Sequence, residues 1–352
     1  MPRPIFFLRV KTQFGNLGDA LINREMIRLL ASHGHLVINL GMAPPRFRAW
    51  IEDGIPSGAT RTGSVDYWLR LIWALIRRPF VQTECWVVLN PGGYVGEVGR
   101  AAMIAKLFGA YRLRVLRRFG CKTMLVGVSY ERLGPRLLGS LRAQANALDF
   151  HAPRCSQTAA FCDENRIAYS KVLPDLAFAL PTHLCRSQPS RKALASFRRQ
   201  TGLDPLGLLG DLLPSGYDLE FAWQVASDAP YQRRLCEDWI GMGNRASIHR
   251  LDESIESARD IYGQYDIVYS NRLHVLLLAM SAGAYAVPVL AAGQGQKIRG
   301  VFADLGLSAR IVETGTALVQ TDTNLSDTAK FEPYLKAQRD LVRGIAEAVG
   351  LR

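Results

Sequence analysis

The chain has 352 residues, is 48% hydrophobic and carries a net charge of +12, enough for one large domain or two of ordinary size, each with its own core. No run approaches the ~18 apolar residues of a membrane span, and the opening MPRPIFFLRVK lacks a signal peptide's cleavage pattern, so a cytosolic protein is expected. Six scattered cysteines without CxxC or Cys/His spacing argue against a zinc site or disulfide framework, while the charge favours anionic partners.

In chain order, IFFLRV (5–10) predicts a buried strand, followed by the turn KTQFGNLGD and a helix, ALINREMIRLLASHG, ending at Gly34. LVINL (36–40) predicts the next strand. After a Trp- and Arg-rich helical region, CWVVLN (85–90) predicts a strand leading into PGGYVGEVG, and KTMLVGVS (122–129) another. RLLGSLRAQANA suggests a helix, and short elements run on to VLPDLAFALP. The polar RSQPSRKAL (186–194) is the best linker, dividing the chain into 1–185 and 186–352. The clearest βαβ unit follows: YDIVYS, HVLLLAMSAG, AVPVLAA and QKIRGVFADLG. Residues 200–250 show no clean period, and the tail from Lys330 predicts one amphipathic closing helix. Strands alternating with helices indicate parallel sheets covered on both faces. The expected class is α/β, with two Rossmann-like doubly wound domains facing a cleft.

Ligands of such sheets bind where strand carboxyl ends enter loops, and four of these loops are polar or glycine-rich. Gly15–Asp19 permits close backbone approach, with Asp19 as a cap for the next helix, though a plain turn explains it as well. Pro91-Gly92-Gly93-Tyr94 reads as a backbone nest for an anion or sugar, or as a turn. SYERLGP (129–135) adds Glu131 and Arg132, a pair that alone reads as solvated. The fourth loop holds Ser270, Asn271, Arg272 and His274 at the end of YDIVYS, where a helix N-terminus favours anions. A guanidinium there can grip phosphate or carboxylate, and an imidazole can move a proton at neutral pH. An isolated Arg-x-His is more often a capping histidine beside a surface arginine. What favours a site is Lys297, which follows the next strand at the same edge with Gln294 and Gln296. The stretches YWLRLIWALIRRPF (67–80) and AKLFGAYRLRVLRRFG (105–120) mix arginine with apolar residues. They suit a protein resting on an anionic membrane better than one tracking nucleic acid, and a core-packed helix with solvated arginines accounts for the same pattern.

SNRLH, a helix, a strand of small residues and then Lys297-x-x-Gly300 together resemble the C-terminal signature of the polysaccharide pyruvyl transferase family. FGNLGDALI resembles its opening motif, Gly92-Gly93 stands at its glycine run, VGVSYERLGP is similar to its mid-domain loop, and Pro174-Asp175 with Ala177-Phe178 to its Pro-Asp-x-Ala-Phe element. The ordered match spans roughly 11–305. Tyr94 replaces a third glycine, and in the family's arginine-acidic-x-x-serine element Arg154 and Thr158 fit while Cys155 replaces the acid.

The resemblance implies a GT-B-like fold and a phosphoenolpyruvate donor whose pyruvyl group becomes a cyclic ketal across two sugar hydroxyls, with no cofactor or metal. His274 and Arg272 are then the expected catalytic pair. Arg272, Lys297, Asn271, Ser270 and Arg154 would bind phosphoenolpyruvate, and Asn16, Asp19, Gly92, Gly93, Tyr94 and Glu131 the acceptor. The acceptor would be a saccharide carried on a lipid, met at the inner membrane face by the basic helices; nucleic acid is not expected. A nucleotide-sugar glycosyltransferase and a non-catalytic glycan-binding protein are the competing expectations.

Overall fold

The computed structural model describes residues 3–96, 99–182, 189–315 and 331–350. By contacts, residues 1–14, 19–176 and 340–352 form one compact unit and residues 15–18 and 177–339 another. The sequence places the division near 185, and residues 183–188 lie outside those described.

The first unit runs β1 (Ile5–Arg9), α1 (Leu17–Ala31), β2 (His35–Asn39), α2 (Pro45–Ile51), β3 (Thr60–Thr62), α3 (Ser64–Val81), β4 (Cys85–Leu89), β5 (Gly92–Gly96), α4 (Arg100–Arg118), β6 (Lys122–Leu133), α5 (Pro135–Ala145), β7 (Phe150–Pro153) and α6 (Ser156–Glu164). Its strands are parallel in the order β3-β2-β1-β4-β6, with β5 and β7 also paired to β6. Phe6, Phe7, Leu8, Val37 and Val87 are buried because helices cover both faces of such a sheet. Strand β6 pairs first with β4 and, from Val128 onward, with β5. Between these stretches Gly127 takes φ 73°, and a β-carbon there would lie 2.9 Å from Leu176 Cδ1, so only glycine makes this bend without strain.

Three local expectations are corrected here. Gly92 and Gly93 do not form a turn: they begin β5, in register with Val128 and Ser129. Gly92 holds φ 140°, open to glycine alone. SYERLGP is no loop, because β6 continues through Leu133. The cap of α1 is Asn16, whose Oδ1 accepts from Gly18 N at 3.0 Å, whereas Asp19 lies inside the first turn.

The second unit contains β8 (Lys192–Ser196), α7 (Pro205–Leu212), β9 (Asp218–Trp223), α8 (Ala229–Gly241), β10 (Ile248–Arg250), α9 (Ile255–Tyr262), β11 (Ile267–Ser270), α10 (Leu273–Ser281), β12 (Tyr285–Leu290), α11 (Gln296–Asp304) and β13 (Val312–Glu313). Its six parallel strands take the doubly wound order β10-β9-β8-β11-β12-β13. Helix α10 is apolar all round because it is enclosed all round: Val275 through Met280 have no exposed surface. The unpatterned region 200–250 resolves into α7 to β10, with Asp204 capping Gly207 N. The closing helix α12 (Glu332–Ala348) forms as expected, but its residues 340–348 belong by contacts to the first unit. Gly344 lies against Leu173 there, where a β-carbon would come within 2.1 Å of Cδ2.

Candidate functional site

In the second sheet the chain order reverses between β8 and β11, so the loops leaving them run in opposite directions and open a crevice at their carboxyl ends. Asn271 ties the two loops together. Its Oδ1 accepts Arg198 N at 2.8 Å, and its Nδ2 donates to Arg198 O at 2.9 Å and Gln200 Oε1 at 3.1 Å. Ser270 is equally committed, donating to Ser196 O at 2.5 Å and accepting Arg272 N at 3.0 Å. The first unit repeats the device at its own reversal between β1 and β4. There Asn90 accepts Lys11 N at 2.9 Å and donates to Arg9 O at 2.7 Å. Both asparagines bond the backbone of the facing loop, Asn271 adding the Gln200 side chain, which makes Asn271 a positioning residue.

Arg272 occupies the cap position of α10 and forms an ion pair through Nε with Asp228, a residue sequence reasoning missed. Asp228 closes the turn after β9, and its only sequence signal was its place just ahead of Ala229-Pro230 at a helix start. His274, half-buried in the first turn of α10, faces the Gly15–Gly18 loop. A β-carbon on Gly18 would fall 2.3 Å from His274 Nδ1, so the glycine exists to admit the ring. The same loop is pinned by a bridge from Asn16 to Val225, beside the Asp228 turn. Buried Gln224 precedes Val225 and accepts from Tyr262 OH at 2.9 Å. Asn16, Gly18, Asp228, Arg272 and His274 are therefore brought together within one unit.

Lys297 stands in the first turn of α11, following the neighbouring strand β12. Gln294, just ahead of it, accepts Gln200 Nε2 at 2.8 Å and donates to Thr201 O at 3.1 Å. The loops after β8, β11 and β12 are thus one hydrogen-bonded edge, with α10 and α11 starting from it.

The remaining predicted site residues lie in the first unit. Arg154, expected to hold phosphoenolpyruvate, is buried and bonded to Asp175 Oδ2 at 3.0 Å and Ser129 Oγ at 2.7 Å. Its neighbour Cys155 is the cap position of α6, with Sγ 3.2 Å from Thr158 Oγ1. Asp19 binds Thr12 Oγ1 at 2.6 Å and Gln13 N at 3.1 Å. Gly93 lies opposite Ser129 and Val95 opposite Glu131 in the β5–β6 ladder; the side chain of Tyr94 lies outside what is described. Burial pushes the Cys121 and Cys162 thiols up to about 12, leaving neither a ready nucleophile.

Over 99% of its length the chain superposes on a glycosyltransferase from Rickettsia africae, covering 94% of that chain at TM-score 0.54 and 8% identity. It matches a UDP-glucosyltransferase from Polygonum tinctorium over 99% of its own length and 98% of the other, at TM-score 0.54 and 10% identity. A putative UDP-N-acetylglucosamine 2-epimerase from Listeria monocytogenes aligns over 97% and 91%, at TM-score 0.51 and 11% identity. These likenesses define the class of the fold, an α/β GT-B-like architecture of two parallel sheets. No curated protein matches. The model of the polysaccharide pyruvyl transferase family matches residues 16–291, most of the chain, and the protein belongs to that family.

Proposed function

We propose that the protein transfers the pyruvyl group of phosphoenolpyruvate onto two hydroxyls of a saccharide, forming a cyclic ketal and releasing phosphate. The observation that carries this reading is His274 seated on Gly18 beside Arg272 at the start of α10, in a chain of this family. The imidazolium of His274 delivers a proton to the methylene carbon of phosphoenolpyruvate, and C2 becomes cation-like. One sugar hydroxyl adds its oxygen to C2. The C2–O bond to phosphate then breaks, the second hydroxyl closes the ring, and its proton leaves with the phosphate. The two hydroxyl protons are thereby accounted for, one on the new methyl group by way of His274 and one on phosphate.

Arg272 and Lys297, with the free N–H groups of α10, supply positive charge for a ligand bearing both phosphate and carboxylate. Asp228 orients Arg272. Asn271 and Ser270 hold the loops from which these groups project. No cofactor enters this scheme. Gly92, Gly93, Tyr94, Glu131, Asp19 and Asn16 remain the residues assigned to the acceptor saccharide. A saccharide carried on a lipid at the inner membrane face is the acceptor that suits such a chain.

Phosphate release from phosphoenolpyruvate, dependent on saccharide, tests the reading, with mass spectrometry expected to show the ketal. Turnover of a nucleotide sugar without phosphate release would replace it with a glycosyltransferase. Full function in His274→Ala would replace it with a glycan-binding protein.

A further inference from the structure

Helix α3 is apolar on two opposite faces. Tyr67 and Leu71 enter a core cluster with Phe7, Val87 and Leu116 of α4. On the far side Val65, Leu69, Ile72, Ile76 and Phe80 recur every three or four residues and stand in solvent, with Trp73 beside them. Phe80 is 85% exposed and Trp73 59%. Helix α4 repeats the pattern with Ile104, Leu107, Phe108 and Tyr111, again at helical spacing and exposed. The two helices are neighbours on one face of the first sheet: the Arg112 guanidinium lies 4.8 Å over the Trp68 ring. Core packing accounts for one side of each helix and leaves two outward stripes of large apolar residues unexplained.

Charge narrows what can cover them. Helices α3 and α4 carry nine arginines and lysines against the single acid Asp66, so eight of the chain's net +12 sits on these two elements. A second copy docking through the same face would set these cations against each other. An anionic bilayer meets both demands, because its headgroups neutralise arginine while its boundary layer takes up tryptophan and phenylalanine. Among the described residues no helix is long and apolar enough to cross a membrane, so the fitting geometry is a helix lying in the interface plane.

We propose that the α3–α4 face docks on an anionic lipid surface, with Trp73, Phe80 and Phe108 entering the headgroup boundary and the exposed arginines engaging lipid phosphates. Arg77, Arg114 and Arg118 are exposed for this role. Arg117 is paired with Asp149 at 2.9 Å, and the Arg78 guanidinium lies over Gly120, so both are spent on the fold. The inference goes beyond the pyruvyl-transfer reading and its readout needs no substrate, so either can fail without the other.

The test is flotation of the full chain with phosphatidylglycerol/phosphatidylethanolamine vesicles against pure phosphatidylcholine. Binding to the anionic vesicles alone is expected, weakened by at least about tenfold in Trp73→Ser/Phe80→Ser/Phe108→Ser with an unchanged melting curve. If that variant melts early, Arg77→Gln/Arg114→Gln/Arg118→Gln decides, expected to abolish the preference for anionic lipid. Failure of the parent to float, or flotation of either well-folded variant equal to the parent's, overturns the proposal. So does a concentration-dependent dimer, without vesicles, that the apolar variant loses.

Discussion

Gly18 lies so close to His274 that a β-carbon on it would fall 2.3 Å from the imidazole Nδ1. A glycine in the opening motif and a histidine near the end of the matched region are thus two halves of one contact. Gly18→Ala should displace the ring and lower kcat by about 10²-fold, since a small misplacement of a reacting group is costly. If the position were only a helix turn, alanine would instead stabilise the helix by about 1 kcal/mol and leave activity intact. Steady-state kinetics beside a melting curve separate these outcomes.

The ion pair of Arg272 with Asp228 holds the guanidinium at the mouth of α10. Asp228→Asn removes that hold. The expected result is a KM for phosphoenolpyruvate raised about tenfold, about 1.4 kcal/mol, with kcat changed less. A lowered KM would mean that Asp228 competes with the substrate.

Asn271 and Asn90 make equivalent bonds at the two sheet reversals. Asn271→Asp keeps the acceptor but sets a carboxylate against Arg198 O and Gln200 Oε1. Urea unfolding should show a loss of about 1–3 kcal/mol, and Asn90→Asp a similar one. A silent Asn271→Asp would mean that the clamp contributes nothing to the edge.

Arg154, Asp175 and Ser129 join three separate sequence motifs in one buried cluster. Arg154→Met removes the buried cation paired with Asp175 and should cost about 3–5 kcal/mol, with the double variant Arg154→Met/Asp175→Leu recovering much of it. Unchanged stability with a raised KM would support the binding role for Arg154 that the sequence suggested.

His151 donates Nδ1–H to Ala168 O at 2.6 Å, leaving Nε2 to accept from Tyr130 OH at 2.8 Å. The neutral ring is fully served. Burial lowers its pKa below the ordinary 6.5, outweighing the opposite pull of the Ala168 bond. The folded value therefore lies below the unfolded one, so its stabilisation is present above pH 6.5 and is lost as pH falls through the folded value. Melting temperature should drop on acidification below that point, with a shallower slope in His151→Gln. Equal slopes would remove His151 as the cause.

Local pattern was sufficient wherever a segment's surroundings are uniform. YDIVYS and HVLLLAMSAG read correctly as β11 and α10 because both are buried on every side, leaving continuous apolar runs with SNRLH at the strand's end. Gly92-Gly93 misled because glycine carries no strand signature, and their pairing comes wholly from β6. Residues 200–250 were illegible because α7 and β10 are too short to show a period.

The sequence by itself determined the alternation of strands and helices, the family, and the charged groups at one strand's carboxyl end. Only the tertiary structure decided which partners those groups meet. It gave Asp228 to Arg272, Gly18 to His274, the Arg198 backbone to Asn271 and Asp175 to Arg154. Periodicity records how one segment faces its surroundings. Which loops share an edge depends on strand order, and strand order is settled by packing between segments far apart in the chain.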